Sequence, residues 1–413
     1  MSFSERLFGG AVGVLNVGGK VLQRAGIEPP SLDRESLFAA ARRRTGLGNA
    51  GDWAIDEPLD RLLKSYRNEA RLTALGRITA RELVVSLLEN LFYLQRELED
   101  APSVADQPIE APTFIVGLPR TGTTLLHNLL SQDPDNRVPL TSEVMYPARF
   151  PNTPEGIERA RRLTASRLGW ADRLAPQFKK IHPIAPDLPQ ECIAITALVF
   201  MSIQFHTTHD VAGYEDWFEQ SSHALAYSFH RRLLQHLQAR KGPERWVLKA
   251  PGHLFSLGAL LAEYPDAKVV QTHRDPLRVV ASMASHATVL RRAFSDDADP
   301  VQVATDWSRR WGDALELFLA VRDRSPQRQF LDVAYEDIEE RPLEAVRRVY
   351  EFIGRPLTSA AESAMQRFLD ANPKHKHGVH RYSLAEYGLS PQNELRRYAD
   401  YCRRFDIAVQ SDP

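Results

Sequence analysis

The chain has 413 residues, 43% hydrophobic and 25% charged, with 52 Lys and Arg set against 53 Asp and Glu. That composition suits a globular protein with a large core, and a formal net charge of −1 leaves no global field to draw it to nucleic acid. Two cysteines, Cys192 and Cys402, with no CxxC pair, exclude a disulfide framework or a cysteine-based zinc site and point to a reducing, cytoplasmic compartment.

The first segment, Leu7-Phe-Gly-Gly-Ala-Val-Gly-Val-Leu-Asn-Val17, is apolar between Arg6 and Lys20, but its glycines and Asn16 set it apart from a signal peptide. It reads as a flap over a pocket or as core packing, with weak membrane-surface contact as the alternative. Residues 32 to 98 carry helical patterns around Leu37, Leu59 and Ala80, with arginines and glutamates alternating against apolar faces. Residues 1–105 are therefore read as a helical N-terminal extension. A Pro-, Asp- and Ala-rich linker from Asp100 to Pro112 follows it.

Phe114 to Val116 read as a buried strand, Gly117-Leu-Pro-Arg-Thr-Gly122 as a tight turn, and Thr123 to Ser131 as a helix. A strand, a glycine turn and a helix start aim free backbone N–H groups and a positive helix end at one point, which makes an anion site. The nucleotide-hydrolase loop GxxxxGK[ST] has its lysine directly after the second glycine. Here that position is Thr123, and the cation comes earlier, at Arg120. A standard ATPase loop is excluded.

After a turn at Asp133-Pro-Asp-Asn136 the chain is expected to return in a second strand, with Glu143 near its end. A carboxylate with a raised pKa at an apolar cleft there suits a general base; the plainer reading is a structural glutamate paired with an arginine such as Arg149. Residues 155–240 read as a helical insertion rich in His, Phe and Trp. His206 and His209 are three apart on a helix but lack an obvious third ligand, so no metal is expected. Glu191, at a helix start, either orients a substrate or complements the helix dipole.

Arg245-Trp-Val-Leu-Lys-Ala-Pro-Gly-His253 reads as a strand ending at Lys249. Lys268 to His273 is another strand, with Asp275 as helix cap and Pro276 at the first helical position. Arg274 at the strand exit and Ser282 in the helix, eight residues on, suit a phosphate monoester. Phe330 to Asp337 gives a further strand, followed by a helix ending at Phe352-Ile-Gly354. Strands alternating with helices predict an α/β fold: P-loop-like, three-layered, with a central parallel sheet flanked by helices. Phosphates would sit at the strand carboxyl ends. Lys374-His-Lys-His-Gly-Val-His-Arg-Tyr-Ser-Leu384 is a basic loop, and residues 391–413 form a tail.

Pro119-Arg-Thr-Gly-Thr-Thr124 resembles the 5′-phosphosulfate loop of sulfotransferases that use 3′-phosphoadenosine-5′-phosphosulfate (PAPS). The Arg274…Ser282 spacing resembles their 3′-phosphate motif, and residues 112–390 as a whole resemble the bacterial branch. The resemblance implies that Arg120, Thr121, Gly122, Thr123 and Thr124 bind the 5′ end, with Arg274 and Ser282 at the 3′-phosphate. Tyr335 would lie near the adenine. Lys376 and Arg381 would take the part of the loop that closes over the 3′-phosphate, the alternative being a solvated charge run. Lys249 would be the second catalytic cation after Arg120. Glu143 is the expected base and His253 its rival, although the family histidine falls two residues after the lysine, where this chain has Pro251. The implied reaction is in-line transfer of the sulfuryl group from PAPS, without metal, to a hydroxyl or amine of a small or lipid-like acceptor. The alternatives are a nucleotide-dependent phosphotransferase and a catalytically degenerate member that binds the product nucleotide PAP.

Overall fold

The computed structural model describes residues 30–174, 184–242, 245–373 and 384–409. The apolar segment near Leu7, and Lys376 and Arg381, lie outside the described residues. Five strands form one parallel sheet in the order β2-β3-β1-β4-β5. They are β1 (Thr113–Gly117), β2 (Asn136–Arg137), β3 (Arg245–Lys249), β4 (Lys268–His273) and β5 (Phe330–Ala334).

All five residues of β1 are buried, as expected for a central parallel strand covered on both faces. Its side chains divide with the strand period of two. Phe114 and Val116 enter one apolar core, together with Trp246, Leu248, Val269 and Phe330. Ile115 enters the other, with Val247, Val270 and Val333. The second core is closed by the helices Thr123–Leu130, Pro342–Ile353 and Ser359–Ala371. The first is larger and is built from helices between Cys192 and Lys241, Pro276–Phe294 and Pro300–Asp323.

The N-terminal helices Arg34–Thr45, Asp56–Asn68 and Ala74–Asp100 contribute Leu37, Leu59, Leu88 and Phe92 to that same first core. The linker after them holds a short 3-10 turn, Pro102–Asp106. Gln235 and Gln238 donate to the carbonyls of Ala105, Gln107 and Pro108 at 2.7–2.9 Å, which ties the linker to the body.

β1 lies between β3 and β4, so the chain crosses over to one side of it and then to the other. Strand order reverses there, and the crevice beyond the carboxyl end of β1 is where such sheets take ligands. Asp275 caps the following helix as its sequence suggests, its side chain accepting from the N–H of Leu277 at 2.9 Å. The second strand differs from expectation. β2 is only two residues long, and Glu143 lies in the short helix Thr141–Met145.

Two consequences are measurable. Leu88 is fully buried, so Leu88→Ala is expected to cost about 2–5 kcal/mol of unfolding free energy in a single denaturant transition; an unshifted main transition would mean that the N-terminal helices fold apart. Glu215 is 1% exposed, its Oε2 has no hydrogen-bond partner, and burial pushes its carboxyl up to about 8 from 4.5. The fold therefore favours the protonated form, and the stability that this contributes is lost as pH rises from about 4.5 through about 8. Glu215→Gln should flatten the decline over that range, read as unfolding free energy against pH.

Candidate active site

The loop after β1 is built on close approach and left-handed backbone. A Cβ on Gly117 would lie 2.4 Å from Thr272 Oγ1 and 2.7 Å from the Thr272 carbonyl oxygen, so only glycine fits. Arg120 (φ 68°) and Gly122 (φ 86°) are left-handed, and the helix Thr123–Leu130 starts directly after them. This is the geometry of a backbone anion cradle backed by a positive helix end. The Thr121 hydroxyl is turned inward, 2.6 Å from the Leu118 carbonyl oxygen and 2.6 Å from Thr272 Oγ1. It pins the loop to β4, and any phosphate contact from Thr121 is left to its backbone.

Strand register then gathers the cations. Ile115 of β1 pairs with Lys249 of β3, and Gly117 pairs with Thr272 of β4, two residues before Arg274. Lys249 is 3% exposed; its Nζ pairs with the Glu191 carboxylate and lies 3.4 Å from Thr124 Oγ1. Arg274 donates to the Arg120 carbonyl oxygen at 2.7 Å and stacks on the Tyr335 ring at 3.8 Å. Arg120, Thr124, Lys249, Arg274 and Tyr335 thus form one connected edge at the carboxyl ends of the strands. Ser282 lies further along the helix that follows Arg274 and is 9% exposed.

Neither expected base stands free at that edge. Glu143 Oε1 accepts from Arg137 at 2.7 Å, and Oε2 accepts the Leu140 N–H at 2.9 Å. Arg149, the partner anticipated for it, pairs with Glu89 instead, at 3.2 Å. His253 is 2% exposed, with Nδ1 2.6 Å from Tyr227 Oη and its ring edge-on to Phe114. Burial holds its pKa well below the ordinary imidazole value, so it is neutral. His206 and His209 form no shared site: His206 bonds Asp306 at 2.8 Å, and His209 bonds Thr208 at 2.8 Å.

The residue that assigns itself here is Glu191. Its partner Lys249 is 58 positions away, so nothing local reveals the pair, although the acidic helix start was visible. Next along the chain from both partners is a small, largely apolar void of about 20 Å³. One wall begins at Cys192, directly after Glu191; the other begins at Ala250, directly after Lys249. Both walls therefore lead from the ion pair into the first core.

A model of the sulfotransferase family matches residues 112–359. The chain belongs to the sulfotransferase family. The crystal structure of the sulfotransferase STF1 from Mycobacterium tuberculosis H37Rv is similar, with a TM-score of 0.78 and 33% identity over 90% of this chain and 100% of that one. STF9 from Mycobacterium avium shares the fold, with a TM-score of 0.81 at 24% identity over 92% and 98% of the two chains. Among named relatives, the omega-hydroxy-beta-dihydromenaquinone-9 sulfotransferase Stf3 of Mycobacterium bovis is 27% identical over 290 residues, 65% of this chain and 70% of its own. Membership makes this sulfotransferase an enzyme of sulfate transfer.

Replacing Thr121 by valine keeps the shape and removes both hydroxyl contacts. The buried Thr272 hydroxyl and Leu118 carbonyl lose a partner, so Thr121→Val is expected to cost about 1–3 kcal/mol in chemical denaturation. No loss would show that the loop is held without this pin.

Proposed function

We propose that the protein transfers the sulfuryl group of PAPS to a hydroxyl of a small or lipid-like acceptor. The observation that carries this reading is the Lys249–Glu191 pair, set beside the anion loop at Thr124. Arg120, the loop N–H groups and the hydroxyls of Thr123 and Thr124 hold the 5′-phosphosulfate. Arg274 and Ser282 take the 3′-phosphate, and Tyr335 flanks the adenine.

In the reaction the acceptor oxygen forms a bond to sulfur while the bond between sulfur and the phosphate oxygen breaks in line. Negative charge grows on the leaving phosphate, where Arg120 and Lys249 neutralise it. Lys249 exchanges Glu191 for that oxygen, and the released carboxylate takes the acceptor proton. The base role is therefore placed on Glu191 rather than Glu143, whose two oxygens are committed to Arg137 and Leu140. A phosphotransferase reading lacks its loop lysine at Thr123. The acceptor reading is supported by Stf3, whose named acceptor is a hydroxylated menaquinone derivative. Among the described residues no helix is long and apolar enough to cross a membrane, and a cytoplasmic enzyme is proposed from the two free cysteines.

With labelled PAPS and an alcohol acceptor, Glu191→Gln is expected to lower turnover by roughly a hundredfold or more while PAP affinity is kept. Glu143→Gln should retain most activity. The opposite pattern returns the base to Glu143, and loss confined to His253→Gln assigns it to the histidine.

A further inference from the structure

The family match ends at residue 359, and beyond it the chain carries two further short helices, Pro391–Arg397 and Ala399–Arg404. They are fastened to the Pro300–Asp323 helix. Tyr398 Oη donates to the Ser308 carbonyl at 3.0 Å, Glu394 accepts from the Ser308 hydroxyl, and Arg404 donates to Asp323 at 3.0 Å. From there Tyr401 and Phe405 reach His273, the last residue of β4. Tyr401 Oη lies 3.2 Å from His273 Nδ1, and the Phe405 ring stacks on the imidazole with centroids 4.0 Å apart.

The imidazole is held from its other side as well. His273 Nε2 lies 2.8 Å from Asp332 Oδ1 of β5, and Arg322 donates to both oxygens of that carboxylate at 2.7 Å. Against the burial that opposes it, Arg322 and His273 keep Asp332 ionised. A carboxylate only accepts, so Nε2 carries the hydrogen. Burial lowers the His273 pKa below the ordinary 6.5, against the pull of Asp332, and the ring is neutral. Nδ1 is therefore a bare acceptor, and the Tyr401 hydroxyl donates to it. Burial raises the Tyr401 pKa, and a hydrogen bond from the Arg274 backbone opposes that rise. His273 is 5% and Tyr401 3% exposed, so a buried polar line runs from Arg322 to the C-terminal segment. A fully satisfied line of this kind fixes one geometry. Here it fixes the ring of the residue directly before Arg274, and with it the exit of the main chain from β4.

We propose that the C-terminal segment completes the nucleotide site from behind: Tyr401 and Phe405 are positioning residues that act through His273 to hold Arg274 at the 3′-phosphate. The inference rests on the PAPS reading and on Arg274 as the 3′-phosphate ligand. Neither residue is assigned a contact with the nucleotide. A guanidinium fork meets phosphate oxygens in a set direction, so a small turn of the strand exit spoils the contact. The effect belongs to the 3′ end. The 5′ end is held by the loop from Arg120 to Thr124, which is pinned to β4 separately, through Thr121 and Thr272.

The test is calorimetry with PAP and with adenosine 5′-monophosphate, which lacks the 3′-phosphate, on wild type, Tyr401→Phe and Phe405→Leu. Wild type should prefer PAP. Tyr401→Phe should lose about tenfold in PAP affinity while keeping its affinity for the monophosphate. Phe405→Leu should shift the same ratio, and it decides if Tyr401→Phe does not fold; monophosphate binding reports folding for both. With labelled PAPS the loss should appear in KM for PAPS rather than in kcat. A segment that only stabilises the fold would lower the unfolding midpoint and leave the ratio of the two affinities unchanged, and that result would overturn the inference. Equal losses for both nucleotides would overturn it too. A wild type that binds PAP no better than the monophosphate would remove the Arg274 reading itself, and the inference with it.

Discussion

A lysine and a glutamate are paired almost out of water at the carboxyl end of β3. Lys249 is 3% and Glu191 11% exposed in their side chains. Breaking a buried pair by removing one partner costs about 3–5 kcal/mol, whereas a packed apolar pair in its place is often no less stable. Stability alone therefore gives little reason for this pair. What it supplies is a cation held next to Thr124 of the anion loop and a carboxylate held against that cation. Loop, sheet register and helical insertion converge on that requirement.

The sheet meets it by register. β1, β3 and β4 align so that Ile115 faces Lys249 and Gly117 faces Thr272, and three strand exits share one crevice. The helical side meets it by bracing. The Thr141 N–H donates to the Leu188 carbonyl and the Gln190 N–H to the Pro139 carbonyl, at 3.0 and 2.7 Å, tying the segment before Glu143 to the one that ends at Glu191. Arg137, stacked on Trp246 of β3, holds Glu143 in the same frame. The Ala74–Asp100 helix adds Asn90, which donates to the Met145 carbonyl at 3.0 Å, and Glu89, which pairs with Arg149. The N-terminal helices thus underpin the acceptor side while sharing the core of the sheet.

Much of this was legible because the signals are local. An apolar run into a glycine turn and a proline after an aspartate cap each declare themselves within a few residues. They brought Arg120, Lys249 and Arg274 to one sheet edge before any coordinates. The failures are long-range. Glu143 read as a strand end because apolar spacing after Asn136 does not show that pairing stops after two residues. The inward turn of the Thr121 hydroxyl is not legible because its partner, Thr272, is 151 positions away. For Glu191 the sequence leaves two roles open, since only the folded insertion brings it to Lys249. His253 looked reactive in sequence, and burial beside Phe114 and Tyr227 made it a neutral cavity wall.

The central claim is that an anion loop without its ATPase lysine, completed by Lys249 and Arg274, is built for a 3′-phosphorylated adenine nucleotide. Titration calorimetry of the purified protein with PAP, against ATP as control, tests it most directly. The account predicts micromolar or tighter binding of PAP, on the order of −8 kcal/mol or more favourable, with little heat from ATP. Folded protein that ignores PAP, or that takes ATP equally well, would contradict it.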